Sequence, residues 1–224
     1  SVKRTFTTIR AIINLSISDH GLDIRNAFSS IYMPEAMSKK RVSIPVNTIR
    51  EIQQACYEID DDMRWLMALI SDTGMRLAEA AGLHINDIHL DEKIPYVDIR
   101  PYPWRRLKTN SSQRQIPLVG ASLWAAKRVK VNASSYFAFP RYTDEEKCNA
   151  NSASNSLNKW IQTNFRDDIV IHGFRHAFRD RLRAVQCPSD MIDQIGGWTS
   201  GKISEGYGEG YSKNDVNKFM LKTK

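Results

Sequence analysis

The chain has 224 residues, 42% hydrophobic and 25% charged, enough for one sizeable core plus a small appended piece and unlike a disordered or fibrous chain. Its longest apolar run, residues 65–70, is too short to span a bilayer, and Ser1-Val2-Lys3-Arg4 leads into no apolar signal-peptide segment. A net charge of +7 suits a polyanionic partner, while three scattered cysteines (Cys56, Cys148, Cys187) without a CxxC pair suit a reducing cytoplasm rather than a disulfide framework.

The first element is a helix over residues 7–18, where Ile9, Ile12, Ile13 and Leu15 recur at near-helical spacing. One helix cannot bury its apolar face alone. Residues 1–37 therefore read as the C-terminal remnant of a helical domain whose remainder is absent. Residues 38–45, basic and ending in Pro45, read as a linker. The main domain follows over 46–211, with a tail over 212–224.

From Pro45 the pattern is mainly helical. Ile49, Ile52 and Cys56, then Met63, Leu66, Met67 and Ile70, recur at three- and four-residue intervals. Asn47 or Thr48 is a candidate cap for the first of these helices, and Asp60-Asp61-Asp62 reads as the start of the second. Three short strands are expected at 96–99, 104–109 and 114–118, with prolines at their margins and Asn110-Ser111-Ser112 turning between the last two. Helical spacing returns at 121–131, 157–165, 174–185 and 191–195, the third beginning around Gly173 because glycine is a poor helix former. The expected fold is mainly α with a small three-stranded antiparallel β-sheet, an α+β class.

Charge is unevenly placed. Between Arg100 and Arg114 lie Arg105, Arg106 and Lys108 with no acidic residue, and Arg175, Arg179, Arg181 and Arg183 enclose only Asp180. Four local signals stand out. In Asp72-Thr73-Gly74-Met75-Arg76-Leu77-Ala78-Glu79, Gly74 permits a turn that delivers Arg76 to a helix start, where free N–H groups favour an anion. Glu79, three residues on, shares that helix face. Lys108 ends the middle strand among cations that could lower its pKa. In His172-Gly173-Phe174-Arg175-His176, His172 and Arg175 project from one side while Phe174 and Phe178 pair toward the core. An imidazole and a guanidinium together can accept a proton and clamp a phosphate, whereas His176 reads as a structural residue bonded to backbone. Finally, Gly206 and Gly208 strip bulk from both sides of Tyr207, with Tyr211 as its rival and Trp198 as a packing residue with an indole donor. Taken singly, each signal also fits an ordinary structural part: a surface ion pair, an edge-strand lysine, a solvated face. His20, His84 and His89 form no metal-spaced cluster, and neither Gly-x-Gly-x-x-Gly nor Gly-x4-Gly-Lys-Ser/Thr occurs, so no metal or nucleotide cofactor is indicated.

In order along the chain, Arg76, Lys108, His172-x-x-Arg175, Trp198 and Tyr207 resemble the active-site series of the tyrosine recombinases, the phage integrase family. The similarity runs from about Ile44 to Tyr211. Members usually place the nucleophile nine positions after the His or Trp, which selects Tyr207 over Tyr211. Two positions depart from the common pattern: the usual Leu-Gly-His reads Gly196-Gly197-Trp198 here. The resemblance implies a catalytic domain over 46–211 and a core-binding-domain remnant over 1–37. It implies a site-specific recombinase that cleaves and rejoins double-stranded DNA through a 3′-phosphotyrosine, without ATP or metal, in integration or excision of a mobile element of bacterial or phage origin. Arg76, Lys108, His172, Arg175, Trp198 and Tyr207 would be catalytic, with Glu79 in support. Arg105, Arg106, Arg114, Lys39, Lys40 and Arg41 would face DNA. A homotetramer on DNA, joined through the tail, is implied, with an isolated copy expected to be monomeric. A type IB topoisomerase-like relaxing enzyme and a non-catalytic basic DNA-binding module are the alternatives.

Overall fold

In a computed structural model of the chain, residues 2–32, 43–109, 112–198 and 210–223 are described. The chain divides into two compact units, Ser1–Arg41 and Val42–Lys224. In the first, helix α1 (Val2–Asp19) buries none of its residues. The segment after it folds back along the helix. Asn26 donates to the Arg10 carbonyl at 3.1 Å and to Asn14 Oδ1 at 2.6 Å, and Arg10 Nη2 donates to the Ile31 carbonyl at 2.8 Å. Ile12 and Leu15 stay exposed. Among the described residues, these polar bonds and a Phe6–Phe28 ring contact, centroids 6.1 Å apart, hold the segment to the helix.

The second unit is built around helix α3 (Asp62–Ser71), whose residues Leu66 to Ile70 are all at most 1% exposed. Helix α2 (Val46–Ile59), α5 (Gly120–Val131) and α7 (Ile171–Ala184) pack on it. Asp61 caps α3 by accepting from the Arg64 amide at 2.9 Å. For α2 the cap expected from Asn47 or Thr48 is replaced. The helix begins at Val46 with Pro45 in the cap position and no side-chain cap bond, because proline's fixed φ already suits a helix start. Helix α4 (Leu77–Ala81), α6 (Ala150–Asn164) and α8 (Ser189–Gly196) complete the shell. Helix α6 begins seven residues earlier than its apolar spacing suggests. Its first turns are Asn- and Ser-rich, and Asn149 caps them by accepting from the Ser152 amide at 3.1 Å.

The fold is mainly α with a three-stranded antiparallel sheet, ordered β1 (Ile88–His89), β2 (Tyr96–Ile99), β3 (Arg114–Pro117). Residues 104–109 are not the middle strand. Tyr102 and Arg105 exchange two backbone bonds at 3.0 Å around Pro103-Trp104, closing a tight turn instead of extending a ladder. The third strand is Ile88–His89, two residues long and too short to show alternation.

Helix α9 (Lys213–Leu221) forms most of the expected tail over 212–224. Val216 and Met220 are 3% and 0% exposed within this unit's own core, and α9 packs against β3. No helix among the described residues is long and apolar enough to cross a membrane.

Candidate active site

Two glycine turns assemble the candidate site. At Gly74 the backbone takes φ +62°, and an added Cβ would fall 2.6 Å from Phe178 Cδ1. That turn presents Arg76 as the N-cap residue of α4, where its amide donates to Glu79 Oε2 at 2.9 Å. The second turn ends α8 with Gly197 at φ +60°. Its consecutive carbonyls take two arginines. Arg175 Nη2 donates to Gly196 O at 2.6 Å, and Arg76 Nη2 donates to Gly197 O at 3.0 Å. Arg175 Nη1 donates to Gly74 O at 2.6 Å, tying the turns together. Side chains far apart in sequence therefore meet on neighbouring peptide groups.

Glu79 sits beneath them, its side chain 4% exposed. Oε1 accepts from Arg76 Nη1 at 2.6 Å and Oε2 from Arg114 Nη2 at 2.9 Å. Burial alone would raise its pKa. The charge and hydrogen bond of Arg114, with the two bonds from Arg76, outweigh that and hold the carboxyl below its ordinary value. Arg175, 3% exposed, is pushed down to about 9, first by burial and then by repulsion from Arg76 and Arg114. Among the described residues, three guanidiniums thus face one carboxylate. A guanidinium carries five N–H donors, and the carbonyls of Gly74 and Gly196 engage two of those on Arg175. The rest can meet a planar or tetrahedral oxyanion.

The other sequence candidates fall around this centre. His172 is exposed in the first turn of α7, one turn before Arg175. His176 is also exposed, and its ring sits edge-on to His172, with ring centroids 5.0 Å apart. Lys108 is exposed in the loop between β2 and β3. Its neighbour Thr109 has Oγ1 2.9 Å from Ser112 Oγ, and that Ser112 oxygen accepts from Arg76 Nη1 at 3.1 Å. Trp198 packs by the arginines, with the Arg175 guanidinium carbon 4.1 Å from its ring centroid. Tyr207 lies outside the described residues, as do Lys39, Lys40 and Arg41. The rival Tyr211 donates to Asp190 Oδ2 at 2.8 Å, and that bond raises its phenol pKa.

Two DNA-facing assignments are corrected. Arg105 is 2% exposed, and its guanidinium donates to the carbonyls of Glu79, at 2.5 Å, and of Arg100. It pins the Lys108 loop to α4. Arg114 is 8% exposed and is spent on Glu79, Ile195 O and Ser112 O. Strand alternation carried that signal, since Arg114 shares the inward face with Ile116. Arg106 remains exposed. Sequence reading also missed Ser112, fully buried between Arg76 and Arg114. Among the described residues no group of three His, Cys, Asp or Glu is placed to hold a metal ion.

The phage integrase family matches residues 43–212, well over half of the chain. The chain belongs to that family, the tyrosine recombinases. Its fold is similar to that of the Tn1549 transposon integrase solved with a circular intermediate DNA, at TM-score 0.64 and 15% identity, covering 92% of this chain and 76% of that one. It is also similar to lambda integrase solved as a tetramer on a Holliday junction (TM-score 0.60, 13% identity, 90% of this chain and 57% of that one). XerA recombinase is a third such structure (TM-score 0.54, 16% identity, 100% and 72%). No curated protein sequence matches the chain.

Proposed function

We propose that this chain is the catalytic domain of a site-specific recombinase that cuts and rejoins double-stranded DNA through a 3′-phosphotyrosine at Tyr207, in integration or excision of a mobile element. The observation that carries the reading is the meeting of Arg76 and Arg175 on the consecutive carbonyls of Gly196 and Gly197, with three guanidiniums set against one carboxylate. Such a surplus suits a phosphodiester, whose charge builds up on the nonbridging oxygens as phosphorus is attacked.

In this reading Arg76 and Arg175 hold those oxygens, and Glu79 holds Arg76. A phenol near pKa 10 is a weak nucleophile at neutral pH, so His172 takes the Tyr207 proton as the phenolate oxygen bonds to phosphorus. The bond from phosphorus to the 5′ oxygen breaks, and Lys108 protonates that oxygen. The products are a 3′-phosphotyrosine and a free 5′ hydroxyl. Because the new ester keeps the energy of the old one, rejoining reverses the step without ATP. Exposed Arg106, with Lys39, Lys40 and Arg41, supplies backbone contacts to DNA. Assembly into a homotetramer on DNA belongs to the same reading, and passing α9 to a neighbour would require it to leave the seat occupied by Val216 and Met220.

The test uses a nicked duplex carrying the cognate site. An SDS-resistant protein–DNA adduct is expected from the unaltered chain, lost in Tyr207→Phe and kept in Tyr211→Phe. Salt-sensitive DNA binding with no adduct would favour the binding module, and an adduct surviving Tyr207→Phe would overturn the choice of nucleophile.

A further inference from the structure

The two departures from Leu-Gly-His meet in space. A Cβ on Gly196 would fall 1.8 Å from both Cε3 and Cζ3 of Trp198, so the indole lies directly over the Gly196 backbone. The turn puts it there. Trp198's amide donates to Asp193 O at 3.0 Å and Gly197's to Gln194 O at 3.3 Å, closing α8 and folding residue 198 back over its end. Leucine at 196 cannot coexist with this tryptophan in this position.

The indole covers more than a glycine. Arg175 and Arg179, one turn apart on α7, both lie over its rings, with guanidinium carbons 4.1 and 4.9 Å from the centroid. Arg175 also reaches Gly196 O, and Arg179 donates to Asp193 Oδ1 at 3.2 Å. Each arginine therefore grips both the indole and the α8 end that carries it.

We propose that Trp198 is a positioning residue that fixes the Arg175 guanidinium through its π face, with Gly196 as its obligate partner and Arg179 as a second clamp. The inference rests, for its effect on cleavage, on the function proposed above. Its physical logic is electrostatic. A carboxylate against Arg175 would hold it more strongly but cancel its charge. An aromatic face attracts the cation through its quadrupole and adds no net charge, so the surplus that suits a phosphate is kept. Indole is the strongest natural side chain for this, and the contact is strengthened where the cation is desolvated, as Arg175 is.

The experiment compares Trp198→Phe, which keeps a face and loses the N–H, with Trp198→Gln, which keeps an N–H and loses the face. It adds Gly196→Ala in the parent and in the Trp198→Gln background. Single-turnover cleavage of the nicked duplex, duplex Kd and Tm are measured for each. Trp198→Phe should cleave at least about tenfold faster than Trp198→Gln, the worth of a desolvated cation–π contact. Duplex Kd should change little in either, since one stacked pad adds nothing to the many backbone contacts that dominate affinity. Gly196→Ala should lower both Tm and cleavage rate in the parent, where it meets Trp198. It should change neither in the Trp198→Gln background, where the shorter side chain leaves the new methyl room. Retained cleavage in Trp198→Gln with loss in Trp198→Phe would overturn the π-face role in favour of a donor. Equal damage from Gly196→Ala in both backgrounds would overturn the pairing. If the parent chain forms no adduct on its site, the proposed function fails, and the melting arm still decides the pairing by itself.

Discussion

Two buried arginine sites stand on either side of Gly74, and they are balanced differently. On one side Asp72 pairs with Arg181 at 2.8 Å, one charge against one. Asp72 is closed by further donors, the Ala121 amide at the start of α5 at 2.8 Å and Gln53 Nε2 at 3.0 Å. Arg181 also donates to the carbonyls of Ser71 and Thr223, while its buried Nε has no partner among the described residues. On the other side Glu79 faces Arg76, Arg114 and Arg175. Both sites are desolvated, so the difference lies in charge count. The matched pair locks α3, α5, α7 and the C-terminal segment together. Among the described residues, the unmatched group keeps a repulsion between its guanidiniums that the matched pair does not have.

The largest effect that could break this comparison comes from neutralising each carboxylate. Asp72→Asn and Glu79→Gln should each lose about 3–5 kcal/mol in urea unfolding, because each leaves a buried cation without its partner. A loss well under 1 kcal/mol at Glu79 would mean that the three guanidiniums do not depend on it. Next, inorganic phosphate should raise Tm, by a stabilisation of about 2.7 kcal/mol at a hundred times its Kd. That rise should vanish in Arg175→Met and persist in Arg181→Met. Equal responses from the two variants would show that the sites do not differ as described.

The pH dependence separates them further. Burial and repulsion from Arg76 and Arg114 push the Arg175 pKa down to about 9, so cleavage should weaken as pH rises toward and past that value. Glu79 acts on the acid limb and is read in stability. Its folded pKa is depressed, so its stabilisation is complete above its unfolded value, near 4.5, and is lost as pH falls through the folded value. The pH profile of cleavage checks the first limb and acid denaturation the second. The smallest test matches two neutral neighbours. Gln53→Ala, beside Asp72, and Ser112→Ala, beside Arg76, should each cost about 1 kcal/mol of stability. Only Ser112→Ala should slow cleavage, since only it frees a guanidinium proposed to hold phosphate.

What could be seen in the sequence was local. Gly74 delivering Arg76, Glu79 three residues later and Phe174 with Phe178 turned inward all follow from turn chemistry and helical spacing, and the structure has each of them. Arg105 and Arg114 misled because charge density says nothing about which way a side chain points. Their carbonyl and carboxylate partners come from α4 and α8, distant in sequence. The short strand 88–89 and the polar first turns of α6 lack the apolar repeat on which pattern reading relies. Gly196 looked like an oddity beside Trp198, and the reason for it is steric and visible only in three dimensions.

The two adjoining carbonyls at residues 196 and 197 have a mechanical consequence. Because Arg76 and Arg175 hang from successive peptide planes, tilting that corner of the backbone by a few degrees moves both cations in concert. Tyr207 follows the same corner along the chain, after Trp198. A displacement of that corner would therefore be felt first at the two cations, with no dedicated relay between them.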